Sequence, residues 1–454
     1  MRPTAGLAVA VSLVLLASLP GHGQSPSPPS KPDGGSGVAS PPGGPPTQPA
    51  PIRIGALLPL TGPATWYGTE MRRGLELAIA ELGRPLRPER RDARPSDASA
   101  PGAPPSGVAP PTGVESDAPD EPPGARVPLA LEALDVDPLN PRQAVQRFAQ
   151  LASRPLAVVF TASATPTLAI HQEAAARDVL VIHQGIVTPR LPAGSRGLIH
   201  TRPPLGMRVE ALADLVHERG LARAAIVTAG DDLGRTIRAV AVPRWRQAGA
   251  SVVLEASLSP DTPDLAVRLR ELVRLAPDAV LLGFHDIELG EVARALREAG
   301  YGGLLLVLDD DRVARLTAGA ALDGALIVSD AFVPAPDSRG ARFAARYRKR
   351  FGSDPSRYAA SAYEALAIVV AGIQATRGPG GEVPSGTRLR ESLLARAAFP
   401  SLYGEQVALR ADGVLARALA LFTVTRGELS FVRYLSPPRR AAGSTPGVTR
   451  LEPA

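Results

Sequence analysis

Residues Ile52–Gly83 read IRIGALLPLTGPATWYGTEMRRGLELAIAELG. Ile52–Leu60 is a short apolar run of the length and composition of a buried strand. Thr61-Gly62-Pro63 breaks it, and an aromatic pair, Trp66-Tyr67, follows with Gly68 behind it. From Thr69 the apolar residues Met71, Leu75, Ala78, Ile79 and Leu82 share one helix face. The stretch therefore predicts a strand, a loop bearing two aromatics, and a helix. In an open α/β sheet such a loop stands at the carboxyl end of a strand, where ligands bind.

The same beat continues outward. Leu129–Asp137 reads as a strand, Asn140-Pro141 starts a helix, and strands at Leu156–Phe160 and Val179–Ile182 flank a helix that begins at Pro166. A second set follows, with strands at Ala224–Thr228, Ser251–Glu255, Ala279–Gly283, Leu304–Leu308 and Ala325–Val328 and helices between them. Two longer helices, Ser338–Phe351 and Tyr358–Ala375, precede two alternating strands joined at Arg426-Gly427. Strand then helix, repeated, means parallel pairing with helices on both faces. At 454 residues the chain is too long for one ordinary core, so two lobes are expected.

Composition sets three segments apart. Residues 24–51 and 84–127 are dominated by Pro, Gly, Ala, Ser, Asp and Arg, and cannot repay their ordering entropy; they predict a disordered tether and a disordered insertion. The tail from 436 to 454 is Pro/Gly/Arg-rich and predicts a frayed end. Residues 1–23 carry Arg2 and the apolar core Leu7–Leu19, the pattern of an export signal. That core is shorter than the roughly 20 residues a membrane span needs. No cysteine occurs, which excludes disulfides, thiolate metal sites and a lipid-modified N-terminal cysteine. The expected address is the periplasm or the exterior. The net charge of +6 is almost all arginine, scattered with acids along the chain, and nucleic acid is not an expected partner.

Four phrases, taken in order, resemble the type I periplasmic solute-binding proteins of ABC transporters, in the leucine/isoleucine/valine-binding branch. They are IRIGALLPLTGPATWYG, DPLNPRQA (Asp137–Ala144), ARAAIVTAGDDLGRT (222–236) and the run from Phe332 to Ala365 that contains RFAARYRKRFGSDPSRYAASAYEA. The resemblance covers about 52–83 and 129–435. It implies two doubly wound parallel-sheet lobes joined by three crossover segments, near Thr201–Pro204, Val307–Asp311 and Arg410–Leu415. Lobe one would hold 52–202 plus 309–412, and lobe two 203–308 plus 413–435. It further implies capture of a small solute between the lobes by hinge closure, and a membrane permease as partner. The protein is expected to be a monomer, with no cofactor and no metal.

The resemblance also implies a ligand set. An amino-acid carboxylate would meet the turn Ser163-Ala164-Thr165 and the loop Gly185-Ile186-Val187. The family's serine falls on Ala164 and its threonine on Val187, so both hydroxyls are missing. Tyr67 matches the first-lobe aromatic, with Trp66 beside it, while the second-lobe tyrosine is replaced by Leu233 next to Asp232. The acid that receives the ligand ammonium falls on Thr262. His285, ending a strand, is a further candidate, as is His183. A hydrogen bond to a charged group contributes about 1.5–3 kcal/mol, so two lost hydroxyls imply roughly 3–6 kcal/mol against a free α-amino acid. A larger, less polar organic molecule, such as an aromatic or aliphatic acid held by the backbone N–H groups, fits these residues better.

Each candidate also has a plain structural role. Thr165 and Asp231-Asp232 read equally as helix caps, and Trp66 as rim packing. Asp309-Asp310-Asp311 does not predict a metal, since consecutive side chains of an extended stretch diverge. No nucleotide-binding glycine motif or nucleophile elbow occurs and the six histidines are dispersed, so an enzyme is not expected. The rival reading is a non-transport envelope sensor, or a regulator of a cell-wall enzyme, on the same bilobed fold. The weakened amino-acid clamp, the tether and the insertion favour it.

Overall fold

The computed structural model describes residues 51–83, 127–187, 190–191, 193–309, 312–377 and 382–435. The predicted signal and tail, and all but the last residue of both the 24–51 tether and the 84–127 insertion, lie outside them, as do Asp310 and Asp311.

The chain forms two sheets. The first is β2-β1-β3-β4-β5, all parallel, built from β1 (Ile52–Leu58), β2 (Leu129–Asp135), β3 (Val158–Thr161), β4 (Leu180–His183) and β5 (Leu198–His200). Three helices connect them: α1 (Thr65–Leu82), α2 (Pro141–Leu151) and α3 (Ala164–Ala176). After β5 the chain enters α4 (Leu205–Glu218), which packs on the core of the second sheet. That sheet alternates β6 (Arg223–Thr228), α5 (Asp232–Gln247), β7 (Ser251–Ser257), α6 (Leu265–Arg274), β8 (Ala279–Gly283), α7 (Asp286–Glu298), β9 (Leu304–Val307), α8 (Arg312–Ala318) and β10 (Leu326–Ser329).

Three helices then return to the first core: α9 (Arg339–Phe351), α10 (Arg357–Thr376) and α11 (Gly386–Leu394). A two-residue pair, β11 (Phe399–Pro400) and β12 (Gln406–Val407), precedes β13 (Leu419–Thr425) and β14 (Glu428–Leu435). The second sheet runs β14-β13-β10-β9-β8-β6-β7. Its last two strands are antiparallel and turn at Arg426 and Gly427, whose φ of 53° and 75° fit a type I′ hairpin.

The expected fold class, two lobes with parallel sheets, is the one observed. One expected crossing is misplaced. Instead of leaving the second lobe near Val307–Asp311, the chain adds β10 to the second sheet between β9 and β13 and departs after Ser329. The run Leu326–Ser329 is fully buried, with parallel β9 on one edge and antiparallel β13 on the other.

Within each sheet the parallel part has the order second, first, third, fourth, fifth. The chain direction reverses between β1 and β3 in one lobe and between β6 and β8 in the other. A crevice forms at such switch points, outside the carboxyl ends of the strands. Both lobes shape it in the same way. A Cβ on Gly68 would lie 1.9 Å from the Pro59 carbonyl oxygen, and one on Gly234 would lie 1.9 Å from that of Ala229. Only glycine lets each helix start this close to the end of its strand.

Candidate functional site

The first wall of the site is set by α1, which begins at Thr65, four residues earlier than its apolar spacing predicts. Trp66 and Tyr67 therefore lie on its first turn instead of in the loop. Asp135, ending β2, accepts from the backbone N–H groups of Leu60 (2.7 Å) and Thr61 (3.1 Å) and from the Thr61 hydroxyl (2.6 Å). Burial pushes this carboxyl up, but those three donors outweigh it and leave the group below its ordinary range. The loop before the helix is thus fixed from a neighbouring strand. Trp66 and Tyr67 meet edge to face at 5.6 Å, and Tyr358 of α10 closes a three-ring cluster. Tyr358 stacks on Tyr67 at 5.4 Å and meets Trp66 edge-on at 5.2 Å.

Next along the sheet edge is the turn after β3. Ser163, not Thr165, is the N-cap of α3, and Ala164 and Thr165 are its first residues. Pro166 is accommodated in the first turn, where its missing N–H has no intrahelical partner to lose. The Ser163 side chain makes no capping bond; its Oγ is buried without a hydrogen-bond partner among the described residues. Gln184, directly after β4, is 2 % exposed, and its Nε2 is likewise buried and unpartnered among the described residues. The two loops touch, because a Cβ on Gly185 would lie 3.0 Å from Ser163 Cα and from the Ala162 carbonyl oxygen. Ile186 packs on the second lobe's core, and the buried Val187 offers its carbonyl to the Leu205 N–H at 3.4 Å.

His183 lies beneath these loops and does not face the crevice. Its Nε2 is 3.3 Å from the Ile186 carbonyl oxygen, which can only accept, so Nε2 carries the proton. Nδ1 then accepts from the Thr167 hydroxyl at 2.9 Å. Burial, then the neighbouring His200 and Arg202, push the imidazole down to about 3, and it is neutral. The sign of the pH effect follows. Below the ordinary histidine value the unfolded chain takes up a proton that the folded protein refuses. Stability should therefore fall with pH, by about 2 kcal/mol between neutrality and pH 5 from this group. Urea unfolding of wild type and His183→Gln at pH 7.5 and pH 5 checks it. The variant should lack that part of the loss, and equal losses in the two proteins would contradict the assignment.

The second lobe contributes the ends of β6 and β8. Asp231, not Asp232, caps α5, accepting from the Gly234 N–H at 2.8 Å. The His285 Nε2 lies 3.3 Å from Asp231 Oδ2, and this bond is the main reason the carboxyl is depressed. Leu233 packs on the lobe's own core, and Asp232 is simply the first residue of α5. The Thr262 Oγ1 accepts from the Ser259 N–H at 2.7 Å, closing its own turn after the edge strand β7.

Sequence reasoning missed a buried ionic cluster at the crossings. Asp330 accepts from Arg202 (2.7 and 3.2 Å) and Arg208 (2.9 Å). Asp309 pairs with Arg202 (2.7 Å), Arg208 (2.9 Å) and Arg357. Arg417 pairs with Glu364 and lies 3.9 Å from both Asp330 Oδ2 and the centre of the Tyr403 ring. Burial alone would raise Asp309, but three guanidiniums hold it down at about 2, and Asp330 also lies well below its ordinary range. One sequence signal existed. Arg208 and Glu364 occupy apolar-face positions of their helices, where a charge must be paired. Among the described residues no cluster of acids and histidines could hold a metal.

A family model described as periplasmic binding protein matches residues 127–428. The chain belongs to the periplasmic binding protein family. Its fold is similar to that of a leucine-binding protein from Thermotoga maritima, with a TM-score of 0.67, 17% identity, and 85% of this chain and 99% of that one covered. It is also similar to a solute-binding protein of an ABC transporter from R. palustris in complex with benzoate (0.65, 18%, 86% and 97%). A branched-chain amino acid transporter substrate-binding protein from Streptococcus pneumoniae, in complex with isoleucine, is comparable (0.65, 16%, 85% and 100%). At these identities the likeness speaks for the fold. No curated protein matches the chain.

Proposed function

We propose that this protein is the exported solute-binding component of an ABC importer and that it captures a small organic carboxylate, not a branched-chain amino acid. The observation that carries the reading is a pair of buried, unpartnered polar groups on the two touching loops, Ser163 Oγ before α3 and Gln184 Nε2 after β4. Buried polar groups are almost always satisfied, so two orphans on touching loops, one of them at the α3 N-terminus, suit an incoming anion. The strands β1, β3 and β4 are neighbours, about 4.8 Å apart. Their carboxyl ends, from which the chain leads to the Trp66–Tyr67 turn, the Ser163 turn and Gln184, therefore span about 10 Å, the length of a small aromatic acid.

The opposite lobe supports the same conclusion. Asp231 is taken up by His285 and by the cap of α5, and Thr262 closes its own turn, so neither suits an ammonium group. The benzoate and isoleucine bound by the two similar proteins define the choice. Isothermal calorimetry with benzoate and with leucine tests it: benzoate should bind and leucine should not. Leucine binding in the micromolar range would overturn the carboxylate reading. The envelope-regulator alternative would gain if no carboxylate closed the lobes in small-angle scattering.

A further inference from the structure

We propose that Tyr358 and Arg357 are positioning residues that tie the Trp66–Tyr67 wall of the first lobe to Asp309 of the second. The contacts form an unbroken line. Tyr67 stacks on Tyr358 at 5.4 Å with 30° between the planes, and Trp66 stands edge-on to the same ring at 5.2 Å. The Arg357 Nη2 donates to the Tyr358 hydroxyl at 2.8 Å, and its guanidinium lies 4.7 Å from the ring centre. A second guanidinium, Arg202, lies 6.0 Å from that centre. Both arginines are ion-paired to Asp309 at the carboxyl end of β9, in the other sheet.

The physical consequence is coupling. A cation over a ring is attracted to its face, so moving either guanidinium changes the orientation in which Tyr358 is held. Tyr358 in turn presents one face to Tyr67. Rotation of the second lobe carries Asp309 with it and drags both arginines across Tyr358. Conversely, a solute that fixes Tyr67 fixes the stack and thereby restricts the lobe angle. A closing signal thus has a mechanical route from the wall to the hinge through four named side chains. The inference rests on Trp66 and Tyr67 being the solute wall, but the coupling itself is present with or without solute.

The test therefore uses the full chain without ligand, so its failure is separate from failure of the carboxylate reading. The protein has two tryptophans, and Trp245 is fully buried, so acrylamide quenching reports mainly on the half-buried Trp66. The absence of cysteine allows a spin-label pair at Val145→Cys and Val267→Cys, both exposed, one in each lobe. Asp309→Asn should raise the Trp66 quenching constant roughly twofold, the population change that loss of a cation–π contact permits. Tyr67→Ala should broaden the inter-lobe distance distribution, and the Tyr67→Ala/Asp309→Asn double variant should broaden it no further.

If Asp309→Asn fails to fold, Tyr358→Phe decides, because it keeps the ring and removes only the bond to Arg357. Arg357→Lys, which keeps the charge but not the planar fork, should restore only part of the wild-type quenching. Wild-type quenching in Tyr358→Phe and Asp309→Asn, or an unchanged distance distribution in Tyr67→Ala, would overturn the proposal.

Discussion

Asp330→Asn should destabilise the protein by about 3–5 kcal/mol, the usual consequence of removing one partner from a buried ion pair. The carboxylate side chain is 2 % exposed, and it faces Arg202, Arg208 and Arg417. Asparagine keeps the shape but leaves three guanidiniums sharing Asp309 and Glu364. Equilibrium urea unfolding at pH 7 measures the loss. Adding Arg202→Met to the variant should recover part of it, because residues in one network are not additive. A double variant whose cost equals the sum of the two singles would show that the cluster is not energetically coupled.

The pH dependence has a definite sign. Asp330 is depressed in the folded protein, so its contribution is complete above its unfolded value of about 3.9 and disappears as pH falls toward the folded value. Wild type should therefore lose stability steeply below pH 4 through this cluster. Asp330→Asn should lose less in that range, having no carboxylate there to protonate.

The architecture was legible because each buried parallel strand is an apolar run and each helix carries one apolar face, and these signals are local. Helix starts were less legible. Trp66-Tyr67 looks like a loop because it follows the Thr61-Gly62-Pro63 breaker, and the helix starts at Thr65 without a side-chain cap at Ala64. The position of β10 could not be read either, since Leu326–Ser329 has the same composition whichever sheet receives it. The ionic cluster lies at the far end of that scale. Its members at 202, 208, 309, 330, 357, 364 and 417 meet only because three crossings converge. The candidate site was half legible. The family resemblance points to missing hydroxyls at Ala164 and Val187, while the buried polar atoms without partners in these loops belong to Ser163, next to Ala164, and Gln184, three residues before Val187.

That displacement leads to the largest expected effect on binding. Ser163→Ala and Gln184→Leu should each weaken an aromatic carboxylate such as benzoate by about 1.5–3 kcal/mol, the contribution of one hydrogen bond to a charged group. Together they should cost roughly 3–6 kcal/mol, or two to four decades in Kd. Ser163→Ala is an unusually clean probe, because the serine caps α3 by its backbone alone and its hydroxyl supports no helix N–H. Gln184→Leu removes a buried amide nitrogen that has no partner among the described residues, so the empty protein should gain stability even as it loses affinity. That opposition separates a ligand contact from a structural one. Thermal unfolding without ligand and calorimetry with benzoate and leucine measure the two sides. If Gln184→Leu lowers both stability and affinity, the amide is a structural partner in the fold, and the anion must be received elsewhere along the carboxyl ends of β1, β3 and β4.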